Sequence, residues 1–493
     1  MESGMSETPP TEELNRPDDQ VEKAVPGEGE DAQFSKDQTL NPEFVDQVEA
    51  TIEKRDARGF EVLTQDLHPA DIADLIGLLS EEDRLALIDM ETGALAPDVL
   101  AELDDDLRQS VVNGMDPSQV AEAVTELETD DAAFVLEDLD EVKRAEILAE
   151  VPLEDRLALH AAFDYPEESA GRLMQREFFA VPGYWTVGQI IDRLRSTEDL
   201  PDRFYEVFVV DPAFKPIGEV PLSILLKHNR ETRIEDIMLS QSMRKIPVTM
   251  DQEEVAYLFE QYNLISSAVI DASERLVGMI TVDDVVETVR EETHEDMLAL
   301  GGVEADTGLS DSVTQTVRSR FSWLAINLVT AILASLVIAA FDVAIGQIVA
   351  LAVLMPIVAS MGGNAGTQTL TVAIRSIATK DLTPSNAARI IWRETLVGLT
   401  NGILFALIMG ALAGLWYYLS GWGGQAEATR LAGVVGVAMV INLLCAGIAG
   451  ILVPLGLQRA GADPAVSSAV FVTTITDIVG FFVFLGLAAA VLL

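Results

Sequence analysis

The last third of the chain is a series of long apolar segments, and this feature limits the possible fold more than any other. About 20 apolar residues in helical conformation cross a bilayer. In lipid every backbone polar group must be satisfied internally, so such segments are expected to be helices. The sequence therefore predicts a transmembrane domain over residues 321–493, with five helices near 321–341, 345–376, 391–418, 431–457 and 465–493.

A single carboxylate lies deep in the fifth segment. Asp477 is near its middle, with threonines at 473, 474 and 476 beside it. A carboxylate at the bilayer centre costs about 2.5 to 3.5 kcal/mol even on insertion scales, so it is usually functional. Carboxylate and hydroxyl oxygens suit a hard cation. We interpret Asp477 and Thr473 as candidate ion ligands. The alternative is a protonated Asp477 hydrogen-bonded to a neighbouring helix.

The second segment contains an unusual run from Met355 to Gln368, which reads MPIVASMGGNAGTQ. Irregular backbone at membrane depth is tolerated only where protein buries it or where it lines a water-filled cavity. The proline and glycines therefore predict a broken second helix, whose free carbonyls and Asn364 would face a passing cation. Close helix packing through the glycines is the alternative.

Charge separates the chain into two halves. Residues 318–493 carry a net charge of +2, whereas residues 1–317 carry −50. So acidic a surface argues against nucleic acid and anionic lipid headgroups as partners and favours cations. An acidic solvated face of the kind found in salt-adapted proteins is the alternative. One cysteine and four scattered histidines predict neither a disulfide framework nor a zinc cluster.

Basic residues indicate the orientation of the membrane segments. By the positive-inside rule, loops rich in Lys and Arg lie in the cytoplasm. The acidic N-terminus does not resemble a signal peptide. We therefore expect a cytoplasmic soluble half and an external C-terminus. The opposite loops hold only Arg430, whereas one side holds Arg318, Arg320, Arg375, Lys380, Arg389, Arg393 and Arg459.

The soluble half begins with an acidic tail over residues 1–38, whose composition predicts disorder. Residues 39–174 show helical periodicity, and residues 67–75 return 48 positions later as 115–123. A proline opens the helix in both copies, where its missing N–H is tolerated. Repeated short helices stack on one another, so the sequence predicts an all-α superhelical domain.

A second repeat, with an offset of 60, relates residues 209–218 to 269–278. Each copy is predicted as strand, turn, strand and helix. These residues resemble a tandem pair of CBS domains, which we place at 175–300. The resemblance implies an α+β fold and a candidate adenine nucleotide site, with ATP as a regulatory ligand. Only the second copy has the matching threonine and aspartate, Thr281 and Asp284, because the first copy reads Gly-Glu-Val-Pro.

An acidic stretch follows the second copy. Glu291, Glu292, Glu295 and Asp296 are spaced to share a helix face, where like charges repel. A bound divalent cation would relieve the repulsion, and an ordinary solvated helix is the alternative. A connecting helix over 301–320, capped at Ser310 and Asp311, is then expected to lead into the membrane.

The order of these parts resembles the bacterial MgtE magnesium transporters over about residues 40–493. The motifs that carry the resemblance are Pro-x5-Gly-Gly-Asn-x-Gly-x-Gln in the second segment and Thr-x-x-Asp in the fifth. It implies a homodimeric multi-pass protein of the cell inner membrane, surrounded by lipid, that is not an enzyme. It implies a Mg²⁺ channel with a pore between the second and fifth helices, closed by cytoplasmic Mg²⁺. Co²⁺ and Mn²⁺ are further candidate ions.

The same resemblance implies roles for individual residues. Asp477 matches the pore carboxylate. Two departures, Asn263 in place of a carboxylate and Ala469 in place of an asparagine, affect one regulatory site and one outer pore contact. The regulatory ions are implied to bind at Asp251, Glu253, Asp284, Glu287, Glu292, Glu295, Asp296 and Asp463.

Two other classes of protein are alternatives to a channel. An ion-coupled cation exchanger would need a second titratable or Na⁺ site in the membrane, and we expect none besides Asp477. An intramembrane aspartyl hydrolase usually needs two deep carboxylates, so the single Asp477 disfavours an enzyme.

Overall fold

The computed structural model describes residues 33–35, 39–90, 95–137, 139–196, 204–303, 313–383 and 385–493. All but three residues of the expected acidic tail, and the expected cap at Ser310 and Asp311, lie outside these ranges. The chain divides into two compact units, Met1–Leu127 with Asp131–Leu159, and Glu128–Asp130 with His160–Leu493.

The first unit is built of short helices, as the periodicity predicts. Pro69 and Pro117 each open a helix in the first turn, which confirms the 48-residue repeat. Alternate helices pack together, α3 on α5, α5 on α7 and α7 on α9, so the repeat stacks. The helices, of which the last continues into the second unit, are α1 Pro42–Glu53, α2 Ala57–Thr64, α3 Pro69–Leu78, α4 Glu81–Asp89, α5 Pro97–Ala101, α6 Asp105–Gly114, α7 Pro117–Glu126, α8 Thr129–Glu137, α9 Glu141–Glu150 and α10 Leu153–Phe163.

The second unit continues with two small sheets, one for each predicted CBS copy. In each, the first strand is parallel to the second and the third is antiparallel to it. The elements are α11 Ala170–Leu173, β1 Ala180–Pro182, α12 Val187–Ser196, β2 Glu206–Val210, β3 Pro216–Pro221, α13 Leu222–Leu225, a 3-10 turn Ile234–Asp236, β4 Lys245–Pro247, α14 Gln252–Tyr262, β5 Ser266–Ile270, β6 Leu276–Thr281 and α15 Val282–Gly301.

The two copies agree down to the turn that joins the antiparallel strands. Asp211 Oδ1 accepts hydrogen bonds from the backbone N–H groups of residues 213 and 215, at 2.8 and 2.9 Å. Asp271 Oδ1 makes the same two bonds to residues 273 and 275. Phe214 and Glu274 are both left-handed, with φ of 63° and 62°. The 60-residue repeat is therefore confirmed.

The copies differ in the helix that follows the third strand. In the first copy, α13 follows Pro221 and has four residues. In the second, Thr281 caps α15, its hydroxyl donates to Asp284 at 2.7 Å, and the helix runs for 20 residues. The acidic stretch is therefore a continuation of the last CBS helix. The predicted boundary at residue 301 stays a prediction.

The C-terminal part confirms the five predicted membrane helices by length and composition. α20 is the most buried of them and packs on α18, α19 and α21. α16 is the least buried, as expected of a helix with lipid on most sides. The helices are α16 Val313–Ala339, a short α17 Asp342–Gln347, α18 Ala350–Ala378, α19 Ala387–Leu419, α20 Gln425–Arg459 and α21 Pro464–Leu492.

The prediction of a broken second membrane helix is wrong. α18 is continuous from Ala350 to Ala378, with Pro356 inside it. Proline removes one backbone hydrogen bond, which membrane helices tolerate when neighbours cover the site. A Cβ on Gly366 would lie 2.6 Å from Val472 Cγ1, and a Cβ on Gly450 2.9 Å from the Gly366 carbonyl oxygen. The glycines therefore serve close helix packing.

Two neighbouring carboxylates, one buried and one half-buried, lie in the first CBS copy. Glu219 on β3 is 8% exposed, and burial followed by the nearby Glu206 carboxylate raises its pKa to about 8. Burial also raises the pKa of Glu206, although a hydrogen bond from the Ser266 hydroxyl, at 3.0 Å, opposes the rise. Glu206 and Ser266 occupy equivalent strand positions, so this bond links the two sheets.

The Glu219 pKa predicts how stability depends on pH. Between the ordinary value of 4.5 and about 8, the native protein holds a proton that the unfolded chain has lost. The free energy of unfolding therefore falls as pH rises through this range. Glu219→Gln should raise the thermal midpoint at pH 8.5 and leave it nearly unchanged at pH 4.5.

The matched control is Glu231→Gln, because Glu231 is exposed in the same CBS copy. It should follow the wild type at both pH values. An equal change at pH 4.5 and 8.5 in Glu219→Gln would contradict the assignment of the raised pKa to Glu219.

Candidate functional site

The fifth membrane helix presents the predicted carboxylate. Asp477 is half-buried in α21, and Thr473 is one turn earlier on the same face. The Thr473 hydroxyl donates to the Ala469 carbonyl at 2.9 Å, so its oxygen still has lone pairs for a cation. Among the residues that the structure describes, none forms a hydrogen bond or ion pair with Asp477. The alternative, a hydrogen bond from Asp477 to a neighbouring helix, is therefore absent among the described residues.

The second membrane helix carries an exposed polar stripe. Ser360, Asn364, Thr367 and Thr371 are all exposed and follow one another at spacings of four, three and four residues. They therefore lie on one face of α18. Gln368 lies at its edge and is also exposed. Such a face is unsuited to lipid and requires water or another protein surface.

The two helices bring Asn364 and Asp477 to the same level of their contact. A Cβ on Gly363, next to Asn364, would lie 4.0 Å from Oγ1 of Thr476, next to Asp477. The polar stripe and the carboxylate therefore lie at one level of the two helices, and we call them together the polar surface.

Sequence reasoning missed Asn442, which holds this surface in place. Asn442 lies on α20 and is fully buried, and its Nδ2 donates to the Val358 carbonyl of α18 at 2.8 Å. Gly362 and Gly480 leave room for it, because a Cβ on either would crowd the amide. Its Oδ1 has no partner among the described groups. The sequence does carry a signal for it, because Asn442 is a single amide side chain in the middle of an apolar segment.

A second carboxylate lies within a membrane helix, so the expectation of none besides Asp477 is wrong. Glu394 is on α19, two turns from its start, and its side chain is 14% exposed. The Thr369 hydroxyl of α18 lies 3.5 Å from its Oε2. Glu394 therefore faces the helix bundle and not the polar stripe.

A separate acidic cluster forms where three elements meet. We use this name for Asp251, Glu253, Glu292, Asp296 and Asp463. Asp251 caps α14, accepting from the Glu253 N–H at 3.0 Å, and Asp463 caps α21, accepting from the Ala465 N–H at 2.7 Å. Glu292 and Asp296 lie one turn apart on the half-buried face of α15. The structure thus brings five of the predicted regulatory residues together.

Burial, and then repulsion between neighbouring carboxylates, raises the pKa values of three members of the acidic cluster. The pKa of Glu253 is raised to about 7, first by burial and then by Glu292, Asp251 and Asp296. Burial raises the pKa of Asp296, and the carboxylates of Asp463 and Glu295 add to it. Burial also raises the pKa of Glu292, against an opposing hydrogen bond from Gln252 at 2.7 Å. A cation bound here would therefore favour the charged forms.

The cluster is not a closed coordination shell. Within the described ranges, no group of three or more His, Cys, Asp and Glu side chains is placed to hold one metal ion. Mg²⁺ usually keeps several waters and takes one or two carboxylates.

Three other predicted regulatory residues are not members of the acidic cluster. Glu287 and Glu295 are on the exposed face of α15, where Glu295 is close enough to Asp296 to raise its pKa. Asp284 accepts hydrogen bonds from the Thr281 hydroxyl and N–H, which makes it part of the helix cap. Thr281 is 4% exposed, and ATP binding there stays a prediction.

The structure gives physical reasons for both departures from the family pattern. Asn263 ends α14 in the left-handed conformation, with φ 51°, and its N–H donates to the Phe259 carbonyl. Asparagine tolerates this conformation better than most residues. Ala469 packs against a small apolar cluster that includes Leu370 and Val472.

Three parts of the chain match known protein families. Residues 355–487 match the MgtE family, a divalent cation transporter, residues 67–168 the MgtE intracellular N domain, and residues 234–291 the CBS domain. The chain is 32% identical over 462 residues to the magnesium transporter MgtE of Thermus thermophilus, covering 90% of this chain and 98% of that one. The chain belongs to the MgtE family. Its Bacillus subtilis relative, also a magnesium transporter MgtE, is 27% identical over 434 residues, covering 88% of this chain and 94% of that one.

A solved structure shows a related soluble part. The cytosolic domain of the Mg²⁺ channel MgtE in complex with ATP is 27% identical, with a TM-score of 0.46, covering 50% of this chain and 99% of that one.

The close packing of α18 and α20 can be tested by substitution of a glycine. In Gly450→Ala the new Cβ would lie 2.9 Å from the Gly366 carbonyl oxygen and 2.8 Å from Thr369 Cβ, so α18 and α20 must separate. Overpacking of this kind destabilises by about 1–3 kcal/mol. We expect a lower thermal midpoint for the purified protein. Gly433→Ala on the same helix is the control, because its Cβ meets nothing within 4 Å. Equal midpoints for the two variants would contradict the packing role.

Proposed function

We propose that this MgtE family member conducts Mg²⁺ across the membrane along the polar surface of α18 and α21, and that cytoplasmic Mg²⁺ at the acidic cluster closes it. The observation that carries the proposal is the exposed stripe with Asn364 at the level of Asp477. The relatives are named magnesium transporters, which supports the choice of ion.

Two copies would complete the pathway. The polar surface is unsuited to lipid, and a two-fold axis beside α18 and α21 would cover it with its own copy. Two Asp477 carboxylates would then balance one Mg²⁺. The homodimer is thus part of the proposal.

The chemistry of Mg²⁺ explains why so few ligands suffice. Mg²⁺ demands octahedral geometry and dehydrates reluctantly, so a pore that keeps its waters avoids most of the dehydration energy. A conducting site must also bind weakly enough to release the ion. Hydroxyl and amide oxygens from Thr473 and Asn364 would contact the hydrated ion. Co²⁺ and Mn²⁺ are further candidates for the same oxygen ligands.

Closure would be an effect of linkage between sites. Basic residues beside the membrane helices favour a cytoplasmic soluble half and an external C-terminus. The acidic cluster joins α14, α15 and the start of α21, which is the helix that carries Asp477. Bound Mg²⁺ would pull these elements together, and its loss would let their carboxylates repel.

The pathway is tested by substitution of its carboxylate. Asp477→Ala should abolish Mg²⁺ uptake into liposomes, and Asp477→Asn should be nearly as damaging, because the charge compensates the ion. Asp342→Asn, an exposed carboxylate in α17, is the control and should transport normally. Robust uptake by folded Asp477→Ala would reject the proposed pathway.

Closure is tested by neutralising the acidic cluster. Glu253→Gln, Glu292→Gln and Asp296→Asn together should remove inhibition by cytoplasmic Mg²⁺ and leave conduction intact. Asp284 is spared, because it belongs to the cap of α15. Mg²⁺ in the millimolar range should protect the wild-type soluble half from protease but not the variant. Glu231→Gln with Glu260→Gln, both exposed, is the control. Equal protection of the triple variant and wild type would contradict the proposed regulation.

Ion-coupled exchange is the second candidate, and Glu394 is the observation that favours it. A partly buried carboxylate beside Thr369 supplies the additional titratable group that an exchanger needs. The exchanger would require a gradient of the coupled ion, whereas the channel would not.

A further inference from the structure

A contact between the second CBS copy and the membrane domain centres on Lys380. Its Nζ lies 3.4 Å from Oε1 of Glu254 and 4.4 Å from the ring centroid of Tyr257. Glu254 and Tyr257 are three residues apart and share a face of α14. Lys380 lies in the loop between α18 and α19. One side chain therefore makes an ion pair and a cation–π contact to the same helix.

Lys380 lies two residues after the end of α18. Its N–H donates to the Ile377 carbonyl at 3.0 Å, and its φ is 54°. Glycine usually occupies this left-handed position after a helix, because a Cβ there is strained by roughly 1–2 kcal/mol. Lysine at this position places a long cationic side chain where glycine would place none. Movement of α14 would therefore reach the end of the pore helix directly.

The same helix, α14, also contributes to the acidic cluster. Glu253 belongs to the cluster, and Glu254 is the very next residue. We propose that Lys380 is a positioning residue for the gate, which transmits cation binding at the acidic cluster through α14 to the cytoplasmic end of α18. This inference rests on the proposed function, since it names how the cluster regulates the pore.

A simple surface ion pair is the competing explanation. The Lys380 and Glu254 side chains are 40% and 55% exposed, and exposed pairs contribute little to stability. A purely structural pair would leave the dependence of transport on cytoplasmic Mg²⁺ unchanged. The gate role predicts a change in that dependence and little change in the thermal midpoint.

The test is charge reversal in the full-length protein, with Mg²⁺ as the probe. In liposomes, Lys380→Glu should raise the Mg²⁺ concentration for half-inhibition by about two- to fivefold, the range that an exposed pair allows. Maximal uptake at low cytoplasmic Mg²⁺ should be unchanged. Glu254→Lys added to Lys380→Glu should restore the wild-type value. Lys215→Glu is the matched control, because Lys215 pairs with Glu274 at 2.7 Å on the CBS surface.

Each outcome bears on a separate claim. Wild-type half-inhibition in Lys380→Glu, or failure of the reversed pair to restore it, would overturn the Lys380 proposal. If Lys380→Glu does not fold, Lys380→Gln and Tyr257→Leu replace it, and unchanged half-inhibition in both has the same meaning. Wild-type inhibition in the triple cluster variant would instead overturn the proposed regulation. An equal shift in Lys215→Glu would also reject the Lys380 proposal, because it would show a general effect of charge.

Discussion

The arrangement of the membrane domain depends on the high free energy of polar groups in lipid. The exposed polar stripe of α18 and the half-buried Asp477 of α21 lie at one level of these two helices, which pack closely through glycines. Glycines let α18, α20 and α21 approach until a Cβ would crowd a side chain or the backbone of a neighbouring helix. Asn442, bonded to the Val358 carbonyl, fixes α18 against α20. The result is a closely packed set of helices with polar groups on one side.

Outside the membrane, the main unfavourable interaction is the repulsion between carboxylates of the acidic cluster. The acidic cluster draws its members from a CBS helix, from the extension of the last CBS helix and from the start of α21. Because burial and neighbouring carboxylates raise the pKa values of Glu253 and Asp296, the cluster is unfavourable without a counter-charge. The helix that contributes Glu253 also contacts Lys380 at the end of α18. Both helices of the polar surface are thus connected to the soluble half.

Sequence predicted what depends on local periodicity and repetition. The five membrane helices and both repeats follow from spacing alone, and the structure confirms them. The broken second helix was wrong, because Pro356 and the glycines acquire their role from helices far away in the chain. Glu394 and Asn442 were missed for the same reason, since a polar residue in an apolar segment is explained only by its partner. Asp284 belongs to the cap of α15, together with Thr281. Its position in the sequence is compatible both with this role and with that of a metal ligand, so the sequence did not distinguish them.

Passive conduction of Mg²⁺ is the central claim, and flux into liposomes at a set membrane potential tests it most directly. The purified protein is reconstituted with equal Na⁺ and proton concentrations on both sides. The account predicts Mg²⁺ uptake that grows as the interior is made more negative, with no gradient of another ion. Uptake that does not change with the membrane potential and requires a Na⁺ or proton gradient would contradict passive conduction and favour coupled exchange.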